Sequence, residues 1–165
     1  HLLDHGAPRP LPAPSARHAG LTAVVTGGNS GVGYATSRRL AVEYGVRVVL
    51  GCRSEARCEK AAAAIEGEIA AAGSAGSVVP LLVDLASLDS VAAFAATLVD
   101  RYQVDLLFNN AGFVPLPHTP VNEYGLEHAF TAMHLAPFLL TERLLAARPR
   151  LRVVNASSGT HHLCT

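Results

Sequence analysis

At 165 residues, half of them apolar, the chain can bury one core and reads as a single domain behind a short lead-in. Thirteen basic residues balance thirteen acidic ones, which leaves no electrostatic footprint for nucleic acid and no like-charge run for an anionic membrane surface; the expected partner is a small molecule. No apolar run approaches the roughly 20 residues of a membrane-spanning helix. Three cysteines (Cys52, Cys58, Cys164), an odd number at no metal-ligand spacing, predict reduced thiols, no disulfide and no metal, hence a cytoplasmic or cytosol-facing protein. His1 opens the chain and Met133 is its single methionine, so the natural start is expected upstream, with room for an anchor or targeting signal.

Residues 1–20 form the lead-in, whose stretch 6–20 carries four prolines and cannot fill a core. From residue 21 to 165, short β-rich runs alternate with helical stretches. Strands are predicted at Leu21–Thr26, Val46–Leu50, Val78–Val83, Val104–Phe108 and Leu151–Asn155, and helices at about 31–44, 55–72, 88–102 and 122–148. Near-continuous apolar runs such as Val48-Val49-Leu50 suit strands covered on both faces, and the alternation with helices implies a doubly wound α/β domain with a parallel sheet.

Directly after the first strand comes Thr26-Gly27-Gly28-Asn29-Ser30-Gly31-Val32-Gly33. Gly27 allows a sharp turn, Gly31 lets the backbone approach a pyrophosphate, and Gly33 lets helix pack closely on strand, while the free N–H groups of Asn29 to Gly33 face the phosphates at a positive helix end. As plain structure, the run is a glycine-rich turn. Its position between strand and helix favours nucleotide binding.

Four further motifs follow in order: Asp84-Leu85 after the third strand, Asn109-Asn110-Ala111-Gly112 after the fourth, Phe138-Leu139-Leu140-Thr141 in the long helix, and Val153-Val154-Asn155-Ala156-Ser157-Ser158. Singly, Asp84 could start a turn before a helix capped by Ser87, and the Asn pair could close a strand. In this order, over about residues 21 to 163, they resemble the short-chain dehydrogenases/reductases, nearest in motif style to the retinol dehydrogenase and protochlorophyllide reductase-like branch. The resemblance implies a Rossmann fold binding NAD(P), with Asp84 and Leu85 at the adenine and Asn110 lining the cofactor. It also implies hydride transfer between the cofactor and a hydrophobic alcohol or carbonyl substrate, in a possible homo-oligomer.

NAD-preferring members end the second strand in a carboxylate that binds the adenosine ribose. This chain has Gly51-Cys52-Arg53, so Arg53, with Ser54 beside it, predicts NADP(H) over NAD(H). Ser158 matches the serine that holds the substrate oxygen. The family's Tyr-x-x-x-Lys pair is not found: Lys60 is the single lysine, with Ala56 four residues before it, and Tyr34 has Arg38 at that spacing. Thr165 lies seven residues past Ser158, short of where the family places its tyrosine, which implies that the pair and the later strands belong downstream and that the sheet here stops after about its fifth strand. Such a chain is expected to expose an open sheet edge, and by itself to be inactive. Met133 stands where many members carry the asparagine of a proton relay, Pro137 should disturb the helix, and His134 is expected to pack. The alternative reading is a non-catalytic NADP-binding or scaffold protein of the same fold.

Overall fold

The computed structural model describes residues 18–114 and 120–158. All but the last three residues of the lead-in, and with them Cys164 and His161-His162, lie outside the described residues. The elements in chain order are β1 (Thr22–Thr26), α1 (Gly31–Tyr44), β2 (Arg47–Cys52), α2 (Glu55–Ala72), β3 (Ser77–Leu82), α3 (Leu88–Arg101), β4 (Leu106–Asn109), a short turn α4 (His128–Phe130), a π-helical turn (Thr131–Leu135), α5 (Ala136–Ala147) and β5 (Arg152–Asn155).

The five strands form one parallel sheet in the order β3-β2-β1-β4-β5. The period-2 alternation of β1 divides the core. Ala23 and Val25 face one way and pack with Val48, Leu50 and Ile65; Val24 faces the other, with Val49, Phe94, Leu107 and Leu140. Helices α1 and α2 therefore cover one face, and α3 and α5 the other. The chain winds outward from β1 to β3 and then returns to place β4 on the opposite side of β1. This reversal opens a crevice at the carboxyl ends of β1 and β4, the place where doubly wound sheets bind ligands. Leu140 is fully buried in the second cluster, so Leu140→Ala should cost about 2–5 kcal/mol of stability, read as a lowered urea midpoint at unchanged slope.

Two expectations are corrected. The long helix does not begin at 122. Residues 121–127 form a loop pinned by an antiparallel bridge between Val121 and Glu127, and the Glu127 carboxylate starts the helix by accepting from the N–H groups of Ala129 (3.0 Å) and Phe130 (2.6 Å). The disturbance foreseen at Pro137 takes the form of the π turn immediately before it: Ala136 N–H reaches back five residues to the carbonyl of Thr131, because proline offers no N–H to continue the regular ladder.

The second correction concerns the cysteines. Cys52 and Cys58 are joined in a disulfide with a Cα–Cα separation of 5.8 Å, within the span such a bond requires. Counting cysteines could not reveal this, because the pairing depends on how the end of β2 and the start of α2 meet.

Candidate functional site

The crevice is a cleft of about 900 Å³ at the carboxyl ends of the strands, built from the segments that follow β1, β2, β3, β4 and β5. Its floor is the glycine-rich turn. Gly27 has φ +67° and Gly31 φ +53°, left-handed conformations that glycine adopts without strain. Gly33 answers a different need: a Cβ there would fall on the Gly27 carbonyl oxygen and the Asn110 amide, so only a bare Cα lets α1 lie this close to the ends of β1 and β4.

Helix α1 points its amino-terminal end at the cleft. Ser30 is its N-cap residue in extended conformation, its side chain makes no capping bond, and no acidic residue sits in the first turn. The helix end therefore keeps its positive partial charge and free N–H groups for an anion. Asn29, Ser30, Gly31, Val32 and Gly33 all line the cleft with Gly27, and Val32 is three-quarters exposed.

The walls come from the other strand ends. Thr26 and Asn110 tie β1 to β4: Thr26 Oγ accepts from the backbone N–H groups of Asn110 (3.0 Å) and Ala111 (3.1 Å), and the Asn110 side-chain amide donates to the Thr26 carbonyl (2.9 Å). Asn110 thus lines the cleft while its amide holds the cleft's shape. Asn109 joins its amide to Thr141 on α5 and to Asn155 on β5, which fixes β4, β5 and α5 together behind the site. Asp84 and Leu85 line the wall beyond β3; Asp84 also accepts from Ala86 N–H, and Ser87 caps α3 by accepting from Ser90 N–H. The turn-forming and cleft-lining readings of Asp84 hold together.

At the end of β2, Arg53 lines the cleft with Ser54, whose hydroxyl caps nothing although it sits at the N-cap of α2. Arg57, one turn into α2, joins them and was not singled out from the sequence. The signal was present, since a helix beginning at Glu55 returns residue 57 to its amino-terminal end. Neither guanidinium bonds to a described residue. The cleft's described lining carries one carboxylate, Asp84, on a different strand end.

The far end of the cleft is apolar. Phe113, Val114 and Met133 line it with His128, whose ring lies 5.7 Å from that of Phe113. Met133 is in the π turn, and its sulfur accepts the Phe113 N–H at 3.5 Å. Asn122, also not singled out, braces this wall from behind. Its amide donates to the Ala86 carbonyl (3.3 Å) and to Thr131 Oγ (3.0 Å), and its carbonyl accepts from Tyr124 and Leu126 N–H (both 3.0 Å), so all its hydrogen-bonding capacity is engaged. His134 stacks on Phe130, ring centroids 5.1 Å apart, as a packing residue would. The lining continues past β5 through Ala156 and Ser157; Ser158, next along, is exposed and is not part of it.

The sequence and the fold have relatives among known proteins. The sequence model described as short chain dehydrogenase matches residues 21–163. Retinol dehydrogenase 14 of Mus musculus is 43% identical over 133 residues, which are 76% of this chain and 39% of that protein. Retinol dehydrogenase 13 of Homo sapiens is 41% identical over 147 residues, 86% of this chain and 42% of that one. The chain therefore spans about two fifths of the length of these relatives. Among solved structures, a short-chain dehydrogenase from Sphingobium yanoikuyae in complex with NADPH superposes with a TM-score of 0.71 at 26% identity, over 86% of this chain and 55% of its own. A protein from Beutenbergia cavernae described as a gluconate 5-dehydrogenase with bound NADP gives 0.67 at 29%, over 86% and 55%. A glycine-rich turn of this geometry, a sheet in this order and a family match along nearly the whole described chain have one common reading: the chain belongs to the short-chain dehydrogenase family.

Proposed function

We propose that this chain binds NADP(H) along the cleft and forms the cofactor-binding part of an oxidoreductase that interconverts a small hydrophobic alcohol and its carbonyl compound by hydride transfer. The observation that carries the reading is the end of β2. There Arg53 and Arg57 stand unengaged by any described residue, Ser54 keeps its hydroxyl free, and no carboxylate closes the strand to repel a 2′-phosphate. The helix α1 end and the turn from Gly27 to Gly33 hold a pyrophosphate, and the Asp84-Leu85 wall takes the adenine. The apolar end at Phe113, Val114 and Met133 suits a hydrophobic substrate, in keeping with relatives named retinol dehydrogenase.

The nicotinamide, when bound, supplies or receives the hydride. The chain's own residues bind and orient, and Ser158, exposed just past the lining residue Ser157, is the hydroxyl that the family resemblance assigns to the substrate oxygen. A proton must accompany the hydride, and serine is a poor acid, so turnover requires a Tyr-x-x-x-Lys segment beyond Ser158. Titration of NADPH against NADH tests the cofactor assignment: NADPH should bind more tightly, and equal affinities overturn it. In a chain extended through a Tyr-x-x-x-Lys segment, Ser158→Ala should lower turnover about a hundredfold, the scale of losing one positioned donor, and leave NADPH affinity nearly unchanged.

Met133 favours a second reading, an NADP-binding or scaffold protein without catalysis. A thioether cannot donate a proton to a relay water, and the Met133 sulfur already accepts the Phe113 N–H. The reading frame beyond residue 165 discriminates the two: a Tyr-x-x-x-Lys segment supports the oxidoreductase, and its absence supports the binding protein.

A further inference from the structure

Cys52 ends β2, Cys58 lies in the first turns of α2, and the bond between them spans the turn that carries Arg53, Ser54 and Arg57. The cysteines are 2% and 0% exposed, whereas both arginines stand open on the cleft. The Leu50 carbonyl lies 3.7 Å from the sulfur of Cys52 and 3.5 Å from that of Cys58. A thiol is a weak donor, so once the bond is reduced an S–H at either position has an acceptor where it already stands. The fold therefore accommodates two covalent states of this pair at the edge of the cleft.

We propose that Cys52 and Cys58 form a thiol–disulfide exchange site whose state sets how firmly the β2–α2 turn grips a 2′-phosphate, an inference that rests on the NADP(H) reading above. The reactant is a dithiol. Its thiolate attacks one sulfur of the pair, the Cys52–Cys58 bond breaks, and the departing thiolate takes up a proton. The second thiol of the reactant then resolves the mixed disulfide. The pair gains two electrons and two protons, and the dithiol becomes a disulfide.

Closing the ring restrains the backbone that carries both arginines, so less conformational freedom is lost when a phosphate docks between them. The buried sulfurs become reachable only when the first turn of α2 lifts, and a ligand bridging Arg53, Ser54 and Arg57 opposes that movement. Linkage makes the two effects reciprocal: a 2′-phosphate that prefers the disulfide state must shift the thiol–disulfide equilibrium toward it by the same factor.

The test uses the 165-residue chain, adenosine 2′,5′-bisphosphate as probe and 5′-AMP as its control, since both occupy the side of the cleft built by β1, β2 and β3. Peptide mapping of the air-oxidised chain should recover the Cys52–Cys58 link. The linked chain should bind the bisphosphate about three- to tenfold more tightly than the chain reduced with dithiothreitol, with 5′-AMP affinity alike in both states. A Cys52→Ser, Cys58→Ser double variant should match the reduced chain, and the reduced wild type carries the comparison alone if that variant does not fold. Free thiols at 52 and 58 after air oxidation overturn the proposal. So does a bisphosphate preference that is the same in both states, and this result leaves the NADP(H) reading standing. A bisphosphate that binds no better than 5′-AMP in either state, or no binding of either ligand, overturns both.

Discussion

Arg53→Asp should invert the cofactor preference of this protein. The guanidinium lines the cleft beside Ser54 and bonds to no described residue, so its loss removes a charge-assisted partner for a 2′-phosphate at little cost to the fold. Hydrogen bonds to charged groups contribute about 1.5–3 kcal/mol, roughly a ten- to hundredfold fall in NADPH affinity. The new carboxylate adds repulsion against the phosphate and accepts from the ribose hydroxyls of NADH, so NADH affinity should rise as NADPH affinity falls. Arg57 remains and tempers the change; adding Arg57→Ala should complete it. Parallel titrations of both cofactors read the outcome, and a variant that still prefers NADPH as strongly as the parent removes Arg53 from the 2′-phosphate site.

Gly33→Val should abolish cofactor binding and destabilise the domain. Any Cβ at residue 33 meets the Gly27 carbonyl, in a residue anchored by its own N–H on the Gly51 carbonyl, and the Asn110 amide, which donates to the Thr26 carbonyl, so helix α1 must move away. Overpacking of this kind costs about 1–3 kcal/mol, and the displacement also withdraws the helix end from the phosphates. Gly67→Ala is the matched control. Gly67 lies within α2, a Cβ there meets nothing within 4 Å, and alanine should stabilise the helix by about 0.5–1 kcal/mol without changing affinity. Urea unfolding and NADPH titration of the two variants should move in opposite directions for stability, and only Gly33→Val should lose binding. Retained binding by Gly33→Val would show that α1 does not present its end to the cofactor.

Helices α1 and α2 run over 31–44 and 55–72 as predicted from local signals, because their boundaries are local events. Ser30 and Ser54 stand at their amino ends, and Gly45 and Gly73 close them in left-handed conformation. The helix expected over 122–148 failed for a reason that no periodicity contains. Its first six residues form a loop around Asn122, and the partners of that side chain include Ala86, 36 positions away. Arg57 was passed over because, viewed along the chain, it is one more charged residue on an exposed helix. The strand end and the helix start place it beside Arg53.

The sequence by itself determined the alternation of strand and helix, the glycine positions that a close helix–strand approach demands, and the absence of a carboxylate at the end of β2. These are properties of adjacent residues or of short periods. The tertiary structure alone decided what depends on strand register. Thr26 meets Asn110 across 84 positions, and Asp105 accepts from the N–H of Thr22 across 83 while binding Arg148 on its other oxygen; the link between Cys52 and Cys58 depends instead on how the end of β2 meets the start of α2. Strands buried on both faces read as continuous apolar runs, which mark that a strand is central but not which neighbour it pairs with or in what register. The side chains that close the site are brought together by that pairing.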